Sequence, residues 1–470
     1  MGAGLRRASA LLAALVTLGG AAAVPGSVPH RSTDRRPNVI VILTDDQSFG
    51  TLPADPPAMP WLQAQIADPD GHWRWFPNAY VSTPLCCPSR AGLLTGLYPR
   101  HTGVRDNGDG HLFDETGTIA LRLQEAGYRT ALVGKYLNGY PFGRGPYVPP
   151  GWDRWVAKGN RSEATTYYGY PLVDQGVPLT GGSGAESYAT DLLGREAAGF
   201  VRTAPADRPY FLLFSPSAPH APQTPPPRYE HAFAGLTLPR PSSFATADPG
   251  APAWVRALPP IDAEAAAALD AARIRERQSL LAVDDAVEAI VREVAARGDL
   301  GRTVLFFLTD NGVAFGEHGV TAKSCPYVEC VRTPFAVHVP GAAARSVSVP
   351  VSTVDLAPTI ASLAGLPPAP TDGVNLGPLL TGAGPVPPRE AVLTEFHGGA
   401  SVPVWTAVHT TDLAYIRTGD TEELYDLTGI RGTPDPAETD DRADDPAYAG
   451  VLIELRRFLR DLASRPPGDG

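Results

Sequence analysis

Read along the chain, the apolar residues fall into two kinds of run. Short stretches at Val39–Leu43, Ala131–Val133, Phe211–Phe214 and Val304–Leu308 are wholly apolar, and Phe335–Val339 is apolar but for His338. A strand buried on both faces reads this way. Between Phe214 and Val304 the pattern changes: Leu280, Val283, Val287, Ile290, Val291 and Val294 recur at threes and fours. That spacing predicts a helix, with Asp262 as its N-cap and Gly298 as its closing residue. Strands alternating with helices predict an α/β fold, a large, mostly parallel sheet sandwiched by helices. Pro222–Pro260 is proline-rich and aperiodic and reads as a surface excursion. Pro367–Pro388 is rich in proline and glycine and marks a boundary. The expected division is a catalytic domain over 37–385 and a smaller C-terminal α+β domain over 386–470. The latter would hold antiparallel strands around Ala414–Ile416 and Glu423–Leu427 and one helix near Tyr448–Leu462.

The N-terminus departs from this pattern. Arg6 and Arg7 precede an apolar run from Ala8 to Leu18, then small residues through Ala23. This is the order of a secretory signal over 1–23, so a secreted, periplasmic or extracellular protein is expected; the paired arginines also permit a twin-arginine route. The run is shorter than the about 20 residues a membrane span needs. No other stretch reads as an integral membrane segment.

Composition narrows the partners. Lys and Arg total 39 against 50 Asp and Glu, a net charge of −11, with no basic cluster. Nucleic acid is therefore not an expected partner. An anionic small substrate is not excluded, because salt screens charges beyond roughly 10 Å. There are four cysteines. Cys325 and Cys330 are close enough in sequence to bridge locally, whereas the adjacent Cys86 and Cys87 call for a role other than pairing.

The positions of the polar residues carry more. Thr44-Asp45-Asp46 ends the first apolar run and Thr309-Asp310-Asn311 ends the fourth; Lys135 and His220 follow the second and third. Singly, such residues are helix caps, turns or solvated loops. In open parallel sheets, however, ligands bind outside the carboxyl ends of the strands. Asp45, Asp46, Asp310 and Asn311 together offer hard oxygen donors, which suit Ca2+, with Mg2+ as the alternative. Zinc fits less well, since no His/Cys group has metal-site spacing.

Cys86-Cys87-Pro88-Ser89-Arg90 then runs into Ala91-Gly92-Leu93-Leu94-Thr95-Gly96. Pro88 suits a first helical turn and Gly96 a helix end. Cys86 would precede the helix start, where free N–H groups favour an anion, and Arg90 lies one turn on, able to reach back to it. The segment resembles the sulfatase signature C-x-P-S-R-x-x-x-x-T-G. The resemblance implies that Cys86, not Cys87, is oxidised to formylglycine (3-oxoalanine) by a formylglycine-generating enzyme. It also implies metal ligands at Asp45, Asp46, residue 86, Asp310 and Asn311, and catalytic roles for Arg90, Lys135, His220 and Lys323. Pro37-Asn38, Pro219-His220, Arg332-Thr333-Pro334 and Glu423-Leu424-Tyr425-Asp426-Leu427 extend the likeness along the chain. Many sulfatases carry a His two residues after the Lys of G-K-W-H-L-G; here Leu137 stands there. Gly134-Lys135-Tyr136-Leu137-Asn138 is similar instead to the N-acetylglucosamine-6-sulfatase branch.

The implied chemistry is attack on sulfur by a hydroxyl of the hydrated aldehyde, with Asp310 taking the proton and His220 and Lys323 assisting the departing alcohol. The expected substrate is a sulfated carbohydrate of N-acetylglucosamine-6-sulfate type or an aryl sulfate. Asn138 and His397 are candidates to line its site. Trp405 could stack on a sugar or simply pack, His318 could be a ligand or stabilise its loop, and His338 reads as a satisfied core histidine. A phosphonate monoester or phosphodiester hydrolase of the same superfamily remains an alternative, as does a non-catalytic sulfated-glycan binder if Cys86 stays a thiol.

Overall fold

The computed structural model describes residues 34–159, 166–246, 250–383 and 389–468. The expected signal segment 1–23 and the expected boundary at 385/386 lie outside them. The wholly apolar runs form the centre of a ten-stranded sheet. Its middle is parallel: Thr303–Thr309, Asn38–Thr44, Tyr210–Ser215, Arg129–Lys135 and Arg154–Lys158, in that spatial order. Ala336–His338 adds antiparallel to Thr303–Thr309, and Pro171–Asp174 antiparallel to Arg154–Lys158.

Why these runs lack alternation is visible in the packing. Val39, Val41, Leu43, Leu132, Leu213 and Phe306 face one core, under the helices Cys86–Thr95 and Leu356–Leu363. Ile40, Ile42, Val133, Leu212, Phe214 and Phe307 face another, under Ala189–Arg202 and Ala263–Ala296. With helices on both faces, the strand interiors are almost continuously apolar, and polar residues collect towards their ends. The long helix begins as expected: Asp262 Oδ1 accepts from Ala265 N at 2.8 Å. Gly298, with φ 71°, follows its end.

The C-terminal part is a four-stranded antiparallel sheet, Val392–Phe396, Trp405–His409, Leu413–Thr418 and Thr421–Asp426, with the helix Ala449–Ser464. One face packs Leu393, Tyr415 and Leu424 against Leu452, Leu455 and Leu459 of that helix. The other packs Trp405, Ile416 and Tyr425 onto Tyr80, Tyr327 and the Cys325–Cys330 disulfide, so the small sheet rests on the large domain. Trp405 is buried in the interface between the small sheet and the large domain, and its Nε1 donates to Ser324 O at 2.9 Å. His338 is only half-buried, with Nδ1 at 3.1 Å from Thr303 O.

Candidate active site

Four strand ends, one helix start and the loop bearing Lys323 deliver the polar residues to a single cluster. The first strand ends at Thr44, so Asp45 and Asp46 leave its carboxyl edge, Asp46 with φ 59°. Asp310 and Asn311 leave the adjacent strand the same way, because Thr44 and Thr309 are in register. Lys135 is the last residue of its strand and reaches both oxygens of Asp45, at 2.8 and 2.7 Å. There the backbone must pass close: a Cβ on Gly134 (φ 126°) would lie 1.9 Å from Ser215 O. Only glycine is accommodated.

Cys86 is the first residue of the helix Cys86–Thr95, one step further inside it than the sequence suggested, and Gly96 closes the helix in the left-handed region. Its Sγ lies 3.5 Å from Asp45 Oδ1, 3.6 Å from Asp46 Oδ1 and 2.8 Å from Lys323 Nζ. Lys323 also donates to both oxygens of Asp46, at 2.9 and 3.0 Å. His220 Nε2 stands 3.4 Å from Asp46 Oδ2, while its Nδ1 lies 2.8 Å from Ala221 O, which fixes the ring. Arg90 does not turn back to Cys86. Its Nε donates to Asp310 Oδ2 at 2.7 Å, and its Nη1 to Ser215 Oγ at 2.6 Å and Lys135 O at 3.0 Å. Its Nη2 has no hydrogen-bond partner and lies 3.8 Å from Asp45 Oδ1.

The electrostatics follow from this interleaving. Burial would raise the Asp45 carboxyl, but Lys135, His220 and Arg90 outweigh it and hold Asp45 well below the usual carboxylate range. Asp46 is lowered in the same contest, mainly by Lys323. Asp310 goes the other way: burial dominates over Arg90 and raises it. Lys323 is half-buried, and although desolvation opposes it, Asp46 and Cys86 raise its ammonium well above a normal lysine. Burial pushes the Cys86 thiol far up, so as a cysteine it stays protonated and a poor nucleophile at neutral pH.

The donors test whether a divalent cation suits this site. Ligand atoms of Asp45, Asp46, Cys86 and His220 all lie within 4.8 Å of one another. Asn311 Oδ1 is buried without a partner, while its Nδ2 donates to Asp46 Oδ1 at 2.6 Å. Carboxylate and amide oxygens are donors a hard cation takes, so the residues fit one. Asp310 sits one step back, its Oδ1 receiving the N–H groups of Asp46 and Asn311.

The remaining expected residues divide. Asn138 follows the Lys135 strand beside Cys87, its Oδ1 buried without a partner. Leu137 is packed in the core. His397 pairs with Glu395 at 3.2 Å, which also holds Arg100; no described contact joins it to the centre. His318 is outside the centre, stacked on Tyr327 at 3.8 Å. The sequence reading missed Ser215, although a polar residue ending an apolar strand was the signal used for its neighbours. It also missed Lys158, buried in register with Lys135, its ammonium pulled down to about 7 by burial.

Comparison with known proteins adds a second line. The profile of the sulfatase family matches residues 37–366, and that of the N-sulphoglucosamine sulphohydrolase C-terminal region matches 316–465. The chain is 34% identical over 402 residues to human N-acetylglucosamine-6-sulfatase, covering 82% of this chain and 71% of that one. It is 34% identical over 367 residues to the Drosophila melanogaster extracellular sulfatase SULF-1 homolog, covering 75% of this chain but only 32% of the fly protein. A solved structure described as a complex with its substrate D-glucosamine-2-N,6-O-disulfate superposes with a TM-score of 0.77 at 24% identity, covering 93% of this chain and all of that one.

Proposed function

The chain belongs to the sulfatase family, and we propose that it hydrolyses sulfate esters on a sulfated amino sugar of N-acetylglucosamine-6-sulfate type. One observation carries this: the sulfur of Cys86 is enclosed by Asp45, Asp46 and Lys323, at the start of a helix whose Arg90 is held by Asp310. The substrate class is supported by the named activity of the human relative and by the Gly134–Asn138 segment.

Asp45, Asp46, residue 86, Asp310 and Asn311 would hold the divalent cation, Ca2+ by donor type, which supplies positive charge for the sulfate oxygens. An aldehyde made from Cys86 supplies, once hydrated, the hydroxyl nucleophile. The chain's own residues do the rest. Lys135 and Lys323 bring two ammonium groups to the side where the sulfate must sit, and Arg90 Nη2 adds a donor not otherwise used. Asp310, its carboxyl raised by burial, is placed to accept a proton, and His220 Nε2 to give one to the departing alcohol. Leu137 has no acid–base capacity, so that work falls to His220 and Lys323.

Export is part of the proposal. It is supported by the charged, apolar and small-residue order of 1–23, by the Cys325–Cys330 disulfide and by the extracellular naming of the fly relative. No helix among the described residues is long and apolar enough to cross a membrane.

Two measurements test it together. Peptide mass spectrometry should find an aldehyde at position 86 in protein from a host that performs this oxidation. That protein should release sulfate from N-acetylglucosamine-6-sulfate faster than from an aryl sulfate, and lose the activity on chelation with restoration by Ca2+. Aldehyde-bearing protein that releases no sulfate from either compound overturns the proposal.

A further inference from the structure

A second group of metal-type donors lies away from the catalytic cluster, where the small sheet meets the large domain. It joins His318, Glu329 and Glu438, whose ligand atoms all lie within 4.8 Å of one another. His318 is held in the left-handed region, φ 52°, with its N–H on Ser243 O at 2.7 Å and its ring stacked on Tyr327. Its Nε2 faces Glu329 Oε2 at 3.8 Å. Glu329 lies in the first turn of the short helix Val328–Val331. Glu438 arrives from the segment after the small sheet. It is fully buried, and its Oε2 accepts from Val328 N at 2.8 Å.

Three features separate this group from an ordinary acidic cluster. Glu438 Oε1 has no hydrogen-bond donor although the residue is 0% exposed, and Glu329 Oε2 likewise lacks one. Among the described residues no Lys or Arg pairs with either glutamate; the recorded ion pair of Glu329 is with His318. Glu329 also lines a cavity of about 250 Å³ together with Ser48, Glu317, Arg332 and Pro436, so the group is reachable from outside. A fully buried and a half-buried carboxylate without an ion-paired Lys or Arg are costly, Arg332 acting on Glu438 only at longer range, and the usual resolutions are a shared proton or a bound cation.

We propose that His318, Glu329 and Glu438 form a second divalent-cation site, distinct from the catalytic one, for a borderline cation of the Zn2+ type. One imidazole nitrogen and two carboxylate oxygens are a donor set Zn2+ accepts, with water completing a tetrahedron. Calcium wants six or more oxygens and would be under-coordinated. Zinc bonds of about 2.0–2.2 Å require the three side chains to draw in by about an ångström. The site's role is structural. It ties Glu438 to the segment bearing Lys323, and that segment is already close to the catalytic backbone: a Cβ on Gly312 would lie 2.1 Å from Glu329 O.

The test uses the full-length protein held in excess Ca2+, so that the catalytic site does not compete. Zn2+ is titrated into wild type and into Glu438→Gln, by calorimetry and by metal analysis after gel filtration. Wild type should take up one equivalent more Zn2+ than the variant, and its Tm should rise by about 2 °C at a hundredfold excess over Kd, a rise the variant lacks. Glu329→Gln is the second variant; it too should lose that equivalent, and it serves if Glu438→Gln does not fold. Equal Zn2+ uptake and equal Tm response in wild type and a folded variant would mean the two glutamates share a proton instead, and overturns the site.

Discussion

Two regions of this protein bury many ionisable groups, and they settle the cost differently. At the catalytic rim, Asp45, Asp46 and Asp310 are interleaved with Lys135, Lys323 and Arg90. Beneath the small sheet, Glu329 and Glu438 make no ion pair with a described Lys or Arg and neither ring nitrogen of His409 has a partner, while Glu423 Oε1 accepts from the hydroxyls of Tyr327 and Tyr425. In the first region the opposing charges outweigh burial at Asp45 and Asp46 and hold both low, while Asp310 is raised. In the second, burial wins and raises Glu438 well above the normal range. The lesson is that buried charge at the rim is balanced by opposite charge, as the proposed chemistry requires. Beneath the sheet it is tolerated only with protons, neutral donors or an added cation.

The contrast can be broken at its strongest point first. Cys86→Ser should lower kcat/KM for sulfate release by ~10⁴-fold or more while leaving the fold intact, since the proposed role of the position is to supply the nucleophile. Near-normal turnover by this variant would remove the rim's claim to chemistry. Arg90→Ala should cost both activity and about 3–5 kcal/mol of stability, because Asp310 is left buried without its cation; chemical denaturation reads this directly.

The region beneath the sheet should respond to pH instead. His409 is fully buried, neither ring nitrogen has a partner, and it stacks on Tyr80 at 4.2 Å. Burial, aided by Arg332, pushes its imidazole down from 6.5 to about 3. A histidine depressed in the folded state binds its proton more readily when unfolded. Its contribution is therefore whole above pH 6.5 and is lost as pH falls towards the folded value, by about 1.4 kcal/mol per unit, or roughly 2 kcal/mol between pH 6.5 and 5. His409→Phe keeps an aromatic stack and should flatten the pH dependence of Tm over that interval; an unchanged slope would place the acid sensitivity elsewhere. The smallest effect joins the two regions. Trp405→Phe removes the bond to Ser324 O beside Lys323 and should cost about 1 kcal/mol with a few-fold fall in kcat.

How far the sequence revealed each region follows from the range of the contacts. The strands were legible because helices on both faces leave few polar positions, and the Asp262 cap because capping is local. The rim was legible because strand ends, Asp45-Asp46 and Asp310-Asn311 among them, gather by the general logic of parallel sheets, and because the Cys86–Gly96 motif is specific. Arg90 was read one turn too locally: helical spacing pointed it at Cys86, whereas its partner is 220 residues away on a neighbouring strand. The second region left no such trace. Glu438 lies 110 residues from the backbone N–H it receives, and only docking of the small sheet brings it to Glu329. His318 could be read alone as a ligand or a loop support, without sight of its partners.

The complete burial of Cys86 has a consequence for how active protein is made. A side chain with no accessible surface cannot be presented to another enzyme's cleft, so the oxidation proposed for this position would have to occur on the nascent or unfolded chain. The fraction of competent molecules is then decided during synthesis, and a folded batch that carries the thiol cannot be rescued afterwards without unfolding it. Slowing production, or supplying more of the maturing activity, should raise specific activity with no change in the amount of folded protein.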